Sequence, residues 1–242
     1  MDMTEQKNDF GVGSVEQNII RMAVPMTVAQ ILNLLYNLVD RMYIGHIPGA
    51  SSLALTGVGI TFPIISMITA FANLFGMGGA PLCSMARGRR DYDAAKRYMQ
   101  NAFWMLLAVG VVLTVTGYVI EKPLLYALGA SSVTYPYASS YLRIYLLGNM
   151  FVMVGIGMNP FINAQGFGTM GMVTVGLGAL VNIILDPLFI FVFHMGVEGA
   201  AIATIIAQFL SALWVLFFLT GEKPDLRLKI CWRKPEFSVV KE

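Results

Sequence analysis

Asp40 and Asp186 are the two acids that fall clearly inside long apolar runs. An ionisable group there costs about 3 kcal/mol at the bilayer centre and marks a functional site by default. Both acids stand in rows of polar residues at helical spacing. Gln30, Asn33, Asn37 and Asp40 recur at steps of 3, 4 and 3, with Tyr36 one turn before Asp40. Asn182 and Asp186 are one turn apart, and Thr204, Gln208 and Ser211 recur at steps of 4 and 3. Such steps place each set on one face of its own helix. In lipid these faces would go unsatisfied, so they must turn toward a shared interior or a water-filled cavity. Two carboxylates, an amide oxygen and a hydroxyl make a hard, oxygen-rich site. Such a site can bind a small cation such as Na⁺ or hold a proton, because paired carboxylates in a poorly hydrated place repel and lose solvation. The spacing leaves open whether Asp40 and Asp186 touch. It also leaves open a structural reading, in which they cap broken helices or pair with Arg41 and Arg143.

The elements that must position these residues follow from composition. Of 242 residues, 57% are hydrophobic and 12% charged, with a mean hydropathy of +0.68. Soluble chains carry about 25% charged residues. A solvated enzyme and a disordered tail are excluded, and a net charge of +2 is too small for a nucleic-acid footprint. A bilayer core of about 30 Å takes roughly 20 apolar residues per helix. Six stretches qualify, at about 19–44, 53–80, 98–120, 134–158, 168–193 and 197–219. The expected links are His46 to Gly49, Arg87 to Arg97, Glu121-Lys122-Pro123, Asn159-Pro160 and Met195-Gly196. These runs are too long, and alternate too little, for barrel strands. The fold class is an all-α membrane protein, a six-helix bundle.

Lys and Arg set the orientation. Arg87, Arg89, Arg90, Lys96 and Arg97 fill one link, and Lys223, Arg227, Lys229, Arg233 and Lys234 follow the last span. The other side offers Arg41 and Lys122. Both termini are therefore expected in the cytoplasm, with residues 1–15 a cytoplasmic segment and 16–220 the membrane bundle. Residues 221–242 read as a basic cytoplasmic tail, held at anionic headgroups, or as the start of a linker. Asp2, Glu5 and Asp9 precede the first apolar run, so no cleavable signal peptide is expected. In this topology Tyr141, Asp186 and Thr204 each lie seven residues from an outer helix end, roughly 10 Å deep. Asp40 is about a turn shallower, so the polar set converges in the outer half.

Other signals carry less. Pro25 removes one backbone hydrogen bond inside span one, through packing or as a hinge. Arg143 is expected on a different face from Tyr141, snorkelling toward headgroups. Tyr135, Tyr137, Tyr141 and Tyr145 read as an interfacial belt. The small-residue row Gly199, Ala203, Ala207 calls for a closely packed partner. Gly166-Phe167-Gly168-Thr169-Met170-Gly171 matches a dinucleotide fingerprint but joins two spans, without the βαβ unit that would give it meaning; its glycines suit a tight turn. Cys83 and Cys231 are read as free thiols, too few for a framework or a four-ligand metal site. His46 and His194 sit at separate span ends without acidic partners. No transition-metal or cofactor site is expected, and no catalytic constellation.

Asn182-Ile-Ile-Leu-Asp186-Pro187, followed by Gly196-Val-Glu-Gly199-Ala-Ala-Ile-Ala-Thr204-Ile-Ile-Ala-Gln208, resembles the multidrug and toxic compound extrusion (MATE) transporters. Ala23-Val-Pro25, Asn37-Leu-Val-Asp40, Tyr141-Leu-Arg143-Ile and Ala164-Gln165-Gly166 agree, from residue 15 to about 230. The resemblance implies a twelve-helix, two-lobe antiporter exporting organic, often cationic, compounds against Na⁺ or H⁺. This chain would be the N-terminal six-helix lobe, working with a second lobe or a second copy. The family's cation site maps onto Asp40, Asn182, Asp186 and Thr204 with Tyr141 nearby, and its bent first helix onto Pro25. A lipid-linked oligosaccharide flippase and a non-transporting assembly subunit remain alternatives. The plasma membrane is the expected location.

Overall fold

The computed structural model describes residues 14–47 and 51–228. Cys231, Lys229, Arg233 and Lys234, with Asp2, Glu5, Asp9, Pro48 and Gly49, lie outside them. Seven α-helices follow one another: α1 Val15–Ile44, α2 Ser51–Gly88, α3 Tyr92–Ala127, α4 Tyr135–Leu147, α5 Asn149–Ala164, α6 Gly168–Pro187 and α7 Gly196–Thr220. A π-helical turn, Leu188–Val192, continues α6. Five helices are long and apolar enough to cross a membrane alone, and α4 with α5 makes a sixth span bent by 59°. The all-helical bundle of six spans is thus what the chain adopts.

Local chemistry sets several ends. The Ser14 hydroxyl accepts from Gln17 N–H at 3.3 Å and starts α1, and Asp91 accepts from Ala94 N–H at 2.9 Å to start α3. Both are side-chain N-caps that satisfy an orphan donor of the first turn. Between α5 and α6 the chain reverses at Gly166, whose φ of +88° lies in the left-handed region where a side chain is strained.

Three expected links are helical instead. Glu121, Lys122 and Pro123 lie within α3, which runs to Ala127. Asn159 and Pro160 lie within α5, and between Arg87 and Arg97 only residues 89–91 separate α2 from α3. Proline and charge mark helix ends in water, but neighbouring helices in a bundle satisfy what a proline frees. Span four breaks at Gly148, a position hydropathy did not distinguish. There the Ile205 side chain packs where a Cβ would stand, and Asn149 Nδ2 donates to Gly110 O and Thr114 Oγ1, both at 3.0 Å.

The core lies between α2, α3, α4, α5 and α7, around Phe161, Met99, Leu106, Met153 and Leu146. Gly76 on α2 meets the backbone of Gly157 on α5 so closely that a Cβ would sit 2.5 Å from Gly157 O. The row Gly199, Ala203, Ala207 is buried inside this lobe, with Gly199 against the backbone of Phe189; its partner is the end of the α6 span. In contrast α1 packs mainly on α6 and exposes Val24, Ile31, Leu34, Leu38 and Met42.

Candidate functional site

α1, α4, α6 and α7 meet around Asp186. Asn182 and Asp186 are buried one turn apart on the inner face of α6, as their spacing requires. Asn182 Nδ2 donates to Asp186 Oδ1 at 3.1 Å and to Thr204 Oγ1 at 3.4 Å. The Thr204 hydroxyl donates to Ala200 O at 3.0 Å in its own helix. That leaves its lone pairs to receive Asn182 and fixes which way the amide faces. The buried Tyr141 side chain on α4 lies beside Thr204. From α1, the Asp40 side chain stands beside Asp186, close enough for the two carboxyl groups to act on each other. The two acids therefore face each other across the α1–α6 interface.

Neither acid forms a direct ion pair with a Lys or Arg among the described residues, although the charge of Arg41, next to Asp40 in sequence, acts on Asp40. The ion pairs there join Arg143 to Glu121 and Arg87 to Asp225. Arg41 lays its guanidinium over the Phe62 ring, 4.8 Å from its centroid. Arg143 is thus spent on Glu121 and does not neutralise the acids, while Arg41 acts on Asp40 by charge without a direct ion pair. Three buried oxygens, Asp40 Oδ1, Asp186 Oδ2 and Asn182 Oδ1, have no hydrogen-bond partner. All three are acceptors, and buried polar atoms are almost always paired. A small cation or a proton is the kind of species that fits three such atoms.

The supporting rows divide. Tyr36 stands close enough to both acids to interact electrostatically. Asn37 turns back on its own helix, donating to Asn33 O at 2.7 Å and Asn33 Oδ1 at 2.8 Å. Gln30 is exposed and Gln208 half-buried, so the row on α1 does not enter the interior as a whole. α1 runs through Pro25 without a break. Pro187, which has no N–H to give, follows Asp186 and leads into the π-helical turn; such turns are frequent at functional sites.

Two residues escaped the sequence reading. Tyr145, expected in an interfacial belt, is buried with Tyr141, their rings stacked at 6.3 Å. Glu121, expected in a link, is buried like Asp186. It accepts from Ser139 Oγ and from Arg143 Nε at 2.7 Å. Ser139 and Arg143 lie one turn apart on α4, and that pair of donors was the signal for an acid opposite.

A multi-pass helical bundle with a pair of neighbouring acids inside, neither in a direct ion pair among the described residues, is a membrane protein built like a transporter. The family model described as MatE matches residues 25–188, and the chain belongs to that family. The chain is 27% identical to a multidrug export protein, MepA, of Staphylococcus haemolyticus, over 98% of this chain and 52% of the relative. Among solved structures it is similar to a MATE protein in complex with MaD3S, with a TM-score of 0.89 and 26% identity, covering 98% of this chain and 53% of the other. It is also similar to a MOP superfamily transporter from Pyrococcus furiosus described as having a binding pocket of reverse polarity. That match has a TM-score of 0.87 and 27% identity, over 99% and 53% of the two chains. The chain spans about half the length of the relatives it matches.

Proposed function

We propose that this chain is one six-helix lobe of a cation-coupled antiporter, which exports small organic, cationic compounds in exchange for Na⁺ or H⁺. Asp40, Asn182, Asp186, Thr204 and Tyr141 hold the coupling ion, and Tyr36, Asn33, Asn37, Gln30 and Gln208 form the polar wall beside it. Pro25 is the hinge of α1, whose contacts within the lobe are the sparsest. A second six-helix lobe, or a second copy, supplies the other wall of the substrate cavity. Burying a drug-sized ligand takes 70–90% of its surface from water, and one open wall cannot do that. The protein lies in the plasma membrane with both ends of the lobe in the cytoplasm.

The observation that carries this reading is the pair of neighbouring acids, Asp40 and Asp186, with no ion-paired Lys or Arg among the described residues and with unpartnered buried oxygens. Ionised carboxylates offer acceptors only, so such a pair favours a proton or a cation between them. An ion held by neighbours on two different helices, α1 and α6, ties its arrival and departure to their relative position. The test is ion-driven export of ethidium from proteoliposomes by a complete two-lobe protein containing this lobe. Asp186→Asn should abolish export while leaving membrane insertion intact. Wild-type ion dependence in that variant would make the acids structural.

A further inference from the structure

The chain that leaves α7 does not run free; the lobe grips it. Residues 221–228 turn back across the end of the bundle that carries the α2–α3 hairpin and the α5–α6 turn. Three contacts hold them. Arg87 Nη2, at the end of α2, donates to Asp225 Oδ2 at 2.8 Å. The N–H of Leu226 donates to Gln165 Oε1, in the α5–α6 turn, at 2.9 Å. The N–H of Leu228 donates to Leu219 O, in α7, at 2.8 Å. Pro224, Leu226 and Leu228 are buried while Asp225 and Arg227 are exposed. Every second side chain from 224 to 228 is thus turned against the bundle, although the backbone bends from 221 to 226.

Gln165 is the receptor in this arrangement. It is fully buried, and its Nε2 donates to Phe161 O at 3.4 Å, which turns Oε1 toward the arriving N–H of Leu226. A buried carboxamide oxygen left unpaired is costly, so residue 165 and the strap satisfy each other. Gln165 lies just before Gly168, the first residue of α6, and α6 carries Asn182 and Asp186. The same strap is pinned to α2 by charge and to α7 by backbone.

We propose that residues 221–228 are a clasp that fixes the foot of α6 against α2 and α7. A displacement of the chain beyond residue 228 is thereby passed to the helix that bears Asp186. The clasp requires no transport and stands whether or not the acids bind an ion. It predicts that loosening the strap also loosens the α5–α6 turn, although the strap follows that turn by some sixty residues in the sequence.

The experiment is amide hydrogen exchange, read by mass spectrometry, on the full chain in lipid nanodiscs. In the wild type the amides of Leu226 and Leu228 should exchange about 100-fold more slowly than an unstructured peptide. Gln165→Ala combined with Arg87→Gln should raise exchange across 224–228 about tenfold, and with it exchange across 166–171. The charge swap Arg87→Asp with Asp225→Arg should recover the protection that Arg87→Asp alone loses. Unprotected strap amides in the wild type would overturn the proposal. So would a released strap that leaves exchange across 166–171 unchanged, since the strap would then bear no load.

Discussion

Glu121 on α3 and Asp186 on α6 are both buried carboxylates in an apolar bundle, and their surroundings differ in every respect that sets their energy. Glu121 receives Ser139 Oγ on one oxygen and Arg143 Nε on the other. The Arg143 side chain is 58% exposed while that of Glu121 is 4% exposed. The guanidinium therefore keeps much of its water, and only the carboxylate is desolvated. Around them Tyr118 donates to Arg143 O at 2.6 Å, and Ser140 donates to Glu198 of α7 at 3.0 Å. This cluster rivets α3 to α4. Asp186 receives one amide donor, from Asn182, and faces another acid. Its second oxygen has no partner. A charge that the fold satisfies makes a fixed joint, whereas one that the fold leaves with spare acceptors has capacity for something that arrives and departs.

The contrast breaks most sharply under substitution. Asp186→Asn, in a complete two-lobe protein, should lose ion-driven export altogether, yet its thermal unfolding midpoint should not fall, since the change removes repulsion with Asp40. A large drop in the midpoint would put Asp186 in the same structural class as Glu121. Glu121→Gln should do the reverse. It should retain ion dependence but lose about 1–3 kcal/mol of stability, the range for losing hydrogen bonds to a buried charged group; thermal unfolding of the purified chain in detergent measures it. Arg143→Gln tests the same joint from its exposed side and should cost at least as much as Glu121→Gln, because it leaves the buried Glu121 carboxylate without its counter-charge. The smallest effect belongs to Arg41→Gln, about 0.5–1 kcal/mol for an arginine over an aromatic face at an exposed site. If Arg41→Gln instead destabilised the fold as strongly as Glu121→Gln, Arg41 would be the hidden counterion of Asp40, and the contrast between the two acids would collapse.

Much of the fold was legible because membrane insertion is a local matter. Runs of apolar residues, their lengths and the glycine at 166 report themselves within a few turns of chain. Where local signals mislead, the reason is equally local. Lys122-Pro123 and Asn159-Pro160 look like punctuation, but α3 and α5 continue through them, as proline is tolerated inside membrane helices. The bend at Gly148 depends on Ile205 and on the α3 groups that Asn149 reaches, none of which is near in sequence.

By itself the sequence determined six spans, the one-turn pairing of Asn182 with Asp186, and the presence of Asp40 on a polar row of the first helix. Helical periodicity and the cost of charge in lipid act along a single chain segment, so they can be read from it. Only the tertiary structure decided that Asp40 faces Asp186, that Arg143 belongs to Glu121, that Tyr145 is buried and Gln30 is not, and that Leu226 closes on Gln165. Each of those depends on how helices far apart in sequence rotate and dock, and a single residue's step around a helix, about 100°, is enough to exchange one partner for another.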